Sequence, residues 1–463
     1  METARSSQQK ALQINLDHRK FGTFAEIGAG QEVARWFFHA GKASATVAES
    51  ISAYDMAISD GLYGKADHYV SRSRLNAMLD REYQQLLERV GPAKGANTAF
   101  FVYADTIATN TSSRRHAGHG WLGVRFQDRP GAEPSEAILH IELLDTQTVG
   151  QQEAVGLIGV NLLYGVFYLA HDPTVLIGTL MDGLNRRRGE VDMIKFSGPA
   201  FDAVDNRLIS LQLLEQGLTD VAMFTAAGDV VQPSEVLAAQ PVLLERGSFR
   251  PVTNVTFAML DRALGQLHKD TREPVTVMEM TLKNLTSGDH IDHADFLARV
   301  DLLGALDEMV MISNFTRFDL VTTYLRQYTQ NRIGLVAGVP AVRAIFDEQY
   351  YTELEGGIME GLGRLFSGPV RLFVYPTVEA QNGNLITAEQ IEVEPRLKHL
   401  YSYVFENGFI EPIRQFDAAQ LHVSPAEVLA QIQSGKSGWE ALVPEKAAAV
   451  IKEKRLFGYT PTT

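Results

Sequence analysis

Apolar and polar positions fall into two textures along this chain. Unbroken apolar runs that suit buried strands recur beside stretches of helical period. Phe24 to Ile27 reads as a strand and Gln31 to Ala40 as an amphipathic helix. Met78 to Val90 reads as a strong helix closed by Gly91-Pro92, and Ala99 to Asp105 as a buried strand. Trp121 to Gln127 and Ala137 to Leu144 alternate instead, on either side of a loop, Asp128 to Glu136, that holds two prolines. That alternation predicts an antiparallel pair and so a mixed sheet.

The α/β rhythm then resumes. Ala154 to Ala170 predicts a buried core helix. Val191 to Phe196 is a strand, followed by a Ser197-Gly198-Pro199 turn and a helix from Phe201 to Gln216. Val221 to Thr225 reads as a strand, and Pro241 to Glu245 is another short apolar segment. A charged stretch, Leu267 to Pro274, marks a domain boundary. Beyond it Met309 to Ser313, Ile333 to Ala337 and Val370 to Tyr375 are strands, with helices over Phe318 to Tyr328 and Pro340 to Phe366. Right-handed crossovers of this kind build parallel sheets. Ser424-Pro425-Ala426-Glu427 spells a capping box, so a helix starts there. The expected class is α/β, with predominantly parallel or mixed sheets and flanking helices, in two or three α/β domains: an N-terminal one over 1–150, a middle segment over 151–268 and a C-terminal one over 269–463.

Composition narrows the class. At 463 residues with 45% hydrophobic and 21% charged, the chain can bury large cores without disulfides or metals. It has no cysteine, which excludes thiolate-ligated zinc, iron–sulfur clusters and cysteine nucleophiles. The polar stretch Met1 to Lys20 lacks the apolar core of a signal peptide, and no run suits a membrane helix. A soluble, cytoplasmic protein is expected. The formal charge of −14 (42 basic, 56 acidic) argues against nucleic acid or anionic lipid as a partner. Arg186-Arg187-Arg188 reads as a solvated helix end.

Candidate chemistry lies in the turns after strands, where helix N-termini favour anions. Glu26-Ile27-Gly28-Ala29-Gly30 is the first: its glycines let backbone approach a ligand, and Asp55 follows at about the spacing of a ribose-binding acid. Val33 stands where a full dinucleotide fingerprint has its third glycine. The turn resembles the first motif of class I methyltransferases, which implies that Glu26, Gly28 and Gly30 shape a cofactor turn and Asp55 holds a ribose. S-adenosylmethionine, NAD or ATP is the type of cofactor expected. Lys195, Ser197 and Gly198 form a second turn, either a phosphate subsite or an ordinary strand-to-helix connection. Ser313 to Arg317 and Gly338 to Pro340 are two more, with helix capping as the first reading.

His116-Ala117-Gly118-His119 matches the H-x-G-H signature of nucleotidylyltransferases, although it follows a polar loop rather than a first strand. Arg114, Arg115, His116, His119 and Trp121 also read as a substrate loop. His119 or His116 is the expected acid or base, since imidazole titrates near neutral pH. Asp289-His290-Ile291-Asp292-His293 reads as a solvated turn before a helix rather than a metal site.

The runs FGTFAEIGAGQEVARWFF, SAYDM, HGWLGVRFQ and IKFSGPAF together resemble an uncharacterised bacterial family, over most of the chain. Its members carry the labels nicotinate-nucleotide adenylyltransferase or TonB-dependent receptor. The second label implies a signal peptide and a large membrane barrel, for which the sequence offers no pattern. The expected function is an α/β enzyme, a transferase if catalytic, that binds a nucleotide or phosphorylated metabolite. Adenylyltransferase-like chemistry and a non-catalytic homo-oligomeric assembly protein are the alternatives.

Overall fold

A computed structural model of the chain describes residues 5–110, 118–267, 272–288, 290–379 and 383–461. Two compact units divide it, Met1–Thr219 and Asp220–Thr463. The boundaries expected at 150/151 and 268/269 do not coincide with this division. Each would cut a sheet, because strands on both sides of it pair with one another.

Unit 1 holds a mixed six-stranded sheet in the order β2-β1-β3-β4-β5-β6. Its strands are β1 (Lys20–Gly28), β2 (Val47–Ala53), β3 (Ala99–Ala108), β4 (Gly118–Phe126), β5 (Ser135–Leu143) and β6 (Gly189–Ser197). β1 runs parallel to β2 and β3, whereas β4, β5 and β6 are each antiparallel to the strand before. The expected antiparallel pair is therefore present, with Trp121 opposite His140. β1 and β3 are buried almost end to end, because helices cover both faces of the sheet. Helices Ser7–Leu16, Val33–Ala40 and Thr148–Tyr168 share a core with one face. The long helix Arg72–Lys94 packs on β3, β4 and β1 across the other. That helix does not close at Gly91-Pro92: Pro92 lies in its last turn, where it forgoes one i→i−4 hydrogen bond, and the helix still continues to Lys94. Likewise the turn Pro199–Phe201 delays the next helix to Asn206, where Asp205 caps it.

Unit 2 holds an eight-stranded sheet. Its strands are β7 (Val221–Phe224), β8 (Val230–Val231), β9 (Val242–Arg246), β10 (Val275–Thr281), β13 (Met309–Ser313), β14 (Ile333–Gly338), β15 (Val370–Tyr375) and β18 (Ile410–Pro412). Two short ladders stand apart, β11 (Thr286–Ser287) with β12 (His290–Ile291) and β16 (Thr377–Val378) with β17 (Leu385–Ile386). The large sheet runs β18-β15-β14-β9-β10-β13-β7-β8. The six strands β9, β10, β13, β14, β15 and β18 are parallel, and β7 closes one side antiparallel to β13. Counted in chain order, the parallel strands lie as 3-2-1-4-5-6, the doubly wound order that binds ligands outside the carboxyl ends of its strands.

The expected helix over Pro340 to Phe366 is three pieces, Val339–Ile345, a 3-10 turn Glu348–Tyr351 and Gly357–Leu365. Asp347 caps the turn through Gln349 N, and Gly357 takes a φ of +55° that no continuous helix allows. The helix Pro425–Gln433 starts where expected, yet Ser424 makes no side-chain cap bond.

Phe24 is the hub of the unit 1 core. Fully buried, it lies 4.8 Å from the Phe37 ring and 5.7 and 5.9 Å from Phe101 and Tyr103. Phe24→Ala is expected to destabilise the fold by about 4 kcal/mol, read as a lower urea midpoint at unchanged slope.

Candidate functional site

The glycine turn after β1 is filled from within. Gly28 has a φ of +75°, and a Cβ there would stand 2.3 Å from the Ile107 carbonyl oxygen. At Gly30 a Cβ would stand 1.8 Å from Asp105 Oδ1. These glycines let the turn close onto β3. The Glu26 carboxylate accepts from the amides of Val33 (2.8 Å) and Ala34 (3.3 Å), the first free N–H groups of helix Val33–Ala40. A cofactor phosphate would need such amides, and here a side chain holds them. Asp55 caps helix Met56–Tyr63 through Ala57 N (2.9 Å) and Ile58 N (3.1 Å).

Glu26 and Asp105 are themselves unusual. Both lie in mid-sheet, 2% and 0% exposed, on neighbouring strands at the same level. Burial pushes Glu26 up to about 7 despite its two amide donors. Burial first, then the Glu26 charge, raises Asp105 well above the carboxylate range. Tyr103 donates to Asp105 Oδ2 at 3.0 Å.

Strand direction separates the remaining candidates. Gly28 lies level with Ile107, and His119 is opposite Ala108, one position further toward the same end. Lys195 lies in another row, through Ala25, Ala104, Gly123 and Ile138. Four strand spacings, about 19 Å, separate it from β1. β6 runs opposite to β1, so Ser197 and Gly198 lie toward the other end of the sheet. The Gly198 turn (φ +87°) packs on Pro134 and Ser135, and Ser135 Oγ accepts from Ala200 N at 2.8 Å. The structure thus places His119 at the end of the glycine turn but keeps Lys195, Ser197 and Gly198 away from it. His116, Arg114 and Arg115 lie outside the described residues, as does Asp289. Asp292 caps helix His293–Ala305 through Ala294 and Asp295 amides. No group of three metal-ligating side chains occurs among the described residues.

His119 joins two residues that the motif does not contain. Its Nδ1 lies 3.1 Å from His140 Nε2, and His140 Nδ1 lies 2.7 Å from Asp192 Oδ1. His140 and Asp192 are buried, and the Trp121 ring stands edge-on to His140 at 4.9 Å.

In unit 2 a cavity of about 640 Å³ opens at the carboxyl ends of β9, β10 and β13. Arg246, Lys283, Asn314, Thr316, Arg317 and Glu353 are among its lining residues. Arg246 donates from Nε and Nη2 to the two oxygens of Glu279, 2.8 Å each, and lies 4.5 Å over the Phe318 ring. Ser313 Oγ donates to Glu279 at 2.6 Å. Arg317 makes the same fork to Asp319 (2.9 and 3.2 Å), lies 5.5 Å over Tyr351 and donates to the Tyr350 carbonyl. Glu279 and Asp319 are 0% and 1% exposed. Two guanidiniums are therefore held rigid, each by a buried carboxylate and an aromatic face. Asn314 to Arg317, in the turn expected to cap helix Phe318–Tyr328, line this cavity, and Arg317 at the N-cap position makes no side-chain cap bond. Arg246, Glu279, His140 and Asp192 were not singled out in the sequence. Their signal is a charged or ionisable residue inside an apolar strand run.

No protein-family model and no curated protein matches the chain. Among solved structures it is similar to a competence-damaged protein (CinA) superfamily protein from Enterobacter cloacae, at 9% identity over 36% of this chain and 95% of that one, TM-score 0.28. It is also similar to the competence/damage inducible protein CihA from Agrobacterium tumefaciens, at 14% identity over 36% and 99%, TM-score 0.26. A CinA superfamily protein from Klebsiella pneumoniae gives 13% over 35% and 98%, TM-score 0.28. Likeness at this level bears on neither activity nor ligand. No helix of the described residues is long and apolar enough to cross a membrane.

The buried acids set a pH dependence. The folded state holds a proton on Glu26 up to about pH 7, whereas an unfolded glutamate releases it near 4.5. Stability from this group is present at low pH and falls as pH rises from 4.5 to 7, by about 3 kcal/mol. Glu26→Gln is expected to flatten that fall and to be more stable than the parent at pH 8, measured by urea unfolding between pH 4.5 and 8. A parent whose stability rises steadily over that range would contradict the assignment.

Proposed function

We propose that the chain binds a nucleotide or phosphorylated small metabolite in the unit 2 cavity. The observation that carries this reading is the pair Arg246 and Arg317, one at the carboxyl end of β9 and the other in the turn after β13, on either side of β10. Its volume falls within the range of small-molecule sites. Fixed guanidiniums lose little freedom on binding an anion, so their attraction is not spent on ordering. Lys283, exposed on the rim, adds a third positive charge, and Glu353 adds a negative one to the buried Glu279 and Asp319 that pair with the arginines. Group transfer on such a ligand is the reaction class that this reading favours.

This moves the expected ligand from the glycine turn to unit 2. The adenylyltransferase-like reading needs histidines on a triphosphate, and His119 is engaged with His140. The assembly reading has one observation in its favour: Tyr54, Met56 and Ile58, after edge strand β2, are 83%, 60% and 58% exposed. Light scattering that finds only monomer would remove it.

A ligand that binds only the folded state raises the melting temperature. ATP, NAD, S-adenosylmethionine and nicotinate mononucleotide are the panel, at millimolar concentration. At least one is expected to raise the melting temperature, and Lys283→Glu to weaken its binding about tenfold at unchanged fold. No shift with any member would sink the proposal, as would full binding to Lys283→Glu and Arg317→Lys alike.

A further inference from the structure

We propose that the ligand of the unit 2 cavity is a nucleoside monophosphate, held by its phosphate at Arg246 and Lys283 and by its base on Tyr350, and that the cavity disfavours triphosphates. This rests on the reading of the cavity as a ligand site and narrows it to one class of nucleotide.

The two guanidiniums have different tasks. Arg246 donates to Glu279 from Nε and Nη2, which leaves Nη1 for the cavity that it lines. Every nitrogen of Arg317 has a partner: Nε and Nη2 donate to Asp319, and Nη1 donates to the Tyr350 carbonyl at 3.1 Å. Arg317 is therefore a positioning residue that holds the wall, whereas Arg246 keeps a donor for a ligand. Lys283 follows β10, the neighbour of β9, and among the described residues nothing holds its ammonium. The phosphate end of the cavity is Arg246 with Lys283.

Tyr350 lines the same cavity from the 3-10 turn Glu348–Tyr351, and it is 45% exposed. Its backbone is fixed at both polar groups, the carbonyl by Arg317 and the amide by the Asp347 carbonyl at 3.3 Å. An aromatic ring on a rigid wall offers a face on which a planar base stacks, whatever the base. Phe315, half-buried, adds a second apolar surface to the lining.

Charge limits the length of the phosphate chain. Arg246, Lys283 and Arg317 bring three positive charges, and Glu353, Glu279 and Asp319 bring three negative ones. The sum is zero, in a chain of formal charge −14. One phosphate meets Lys283 and the open edge of Arg246. A triphosphate adds negative charge that nothing in the lining offsets and that Glu353 repels. The hydroxyls of a ribose, by contrast, donate hydrogen bonds that a carboxylate such as Glu353 accepts.

Isothermal titration calorimetry of the intact chain tests this with the four common ribonucleoside 5′-monophosphates, their triphosphates and inorganic phosphate. EDTA is present, so that no metal ion masks the phosphates. The tightest monophosphate is expected to bind about tenfold more tightly than its own triphosphate at ordinary salt. Tyr350→Ala is expected to weaken that monophosphate about tenfold. Glu353→Gln is expected to narrow the preference over the triphosphate several-fold. Both replace exposed side chains, so the melting temperature without ligand stays at the parent value. A triphosphate that binds as tightly as its monophosphate overturns the inference and leaves the anion site standing. So does inorganic phosphate that binds as tightly as any nucleotide, or a monophosphate that binds Tyr350→Ala in full. If neither phosphate nor any nucleotide binds, the ligand reading of the cavity falls with it.

Discussion

One carboxylate ties the carboxyl ends of three strands together. Glu279 on β10 accepts two bonds from Arg246 on β9 and one from Ser313 on β13. It is wholly buried, so removing Arg246 would leave a charge without compensation, at a cost of several kcal/mol. The surface that faces the cavity depends on this knot. Arg246 would otherwise be a long, rotatable side chain; bound at two nitrogens and stacked on Phe318, it has one position. Arg317 repeats the device with Asp319 and Tyr351 on the next connection. The apolar strands supply the platform, and the buried acids aim the charges on it.

Unit 1 uses strand acids for a different end. Glu26 turns back on the helix that follows its own strand and occupies the amides of Val33 and Ala34. Asp105 fills the space that Gly30 leaves. A glycine turn and a helix N-terminus invite an anion only while those amides are open. Here the protein supplies the acceptor itself, and the glycines serve close packing of β1 on β3.

Much of the fold was legible because the apolar runs of β3, β13, β14 and β15 are dense and their flanking turns plain. The mixed sheet was legible from the alternation around Trp121 and Ile138. Boundaries were less so. A charged stretch at 267–274 looks like a linker, yet β9 and β10 pair across it. The helix beyond Pro340 breaks at Asp347 and Gly357, where capping and a positive φ outweigh an unbroken apolar period. The candidate site was least legible. Turn chemistry drew attention to Gly28 and Gly198, whereas single ionisable residues in apolar strands, such as Glu279 in VTVMEMT and His140 in SEAILHIEL, hold the knots. Their partners lie 33 and 52 residues away, beyond any local motif.

Sheet direction explains why a set of plausible residues cannot form one site. A strand that runs opposite to β1 carries its following turn to the opposite end of the sheet, whatever residues that turn contains. Lys195, Ser197 and Gly198 follow that rule on β6. His119 escapes it because it opens an antiparallel strand, so its position beside the carboxyl end of β3 comes from the start of β4. In a mixed sheet, residues gather at one end from the ends of strands running one way and the beginnings of strands running the other. The turn after β1 and the first residues of β4 meet this condition. In unit 2, where β9, β10 and β13 run together, the turns after three successive strands meet it at once, and that is where the cavity opens.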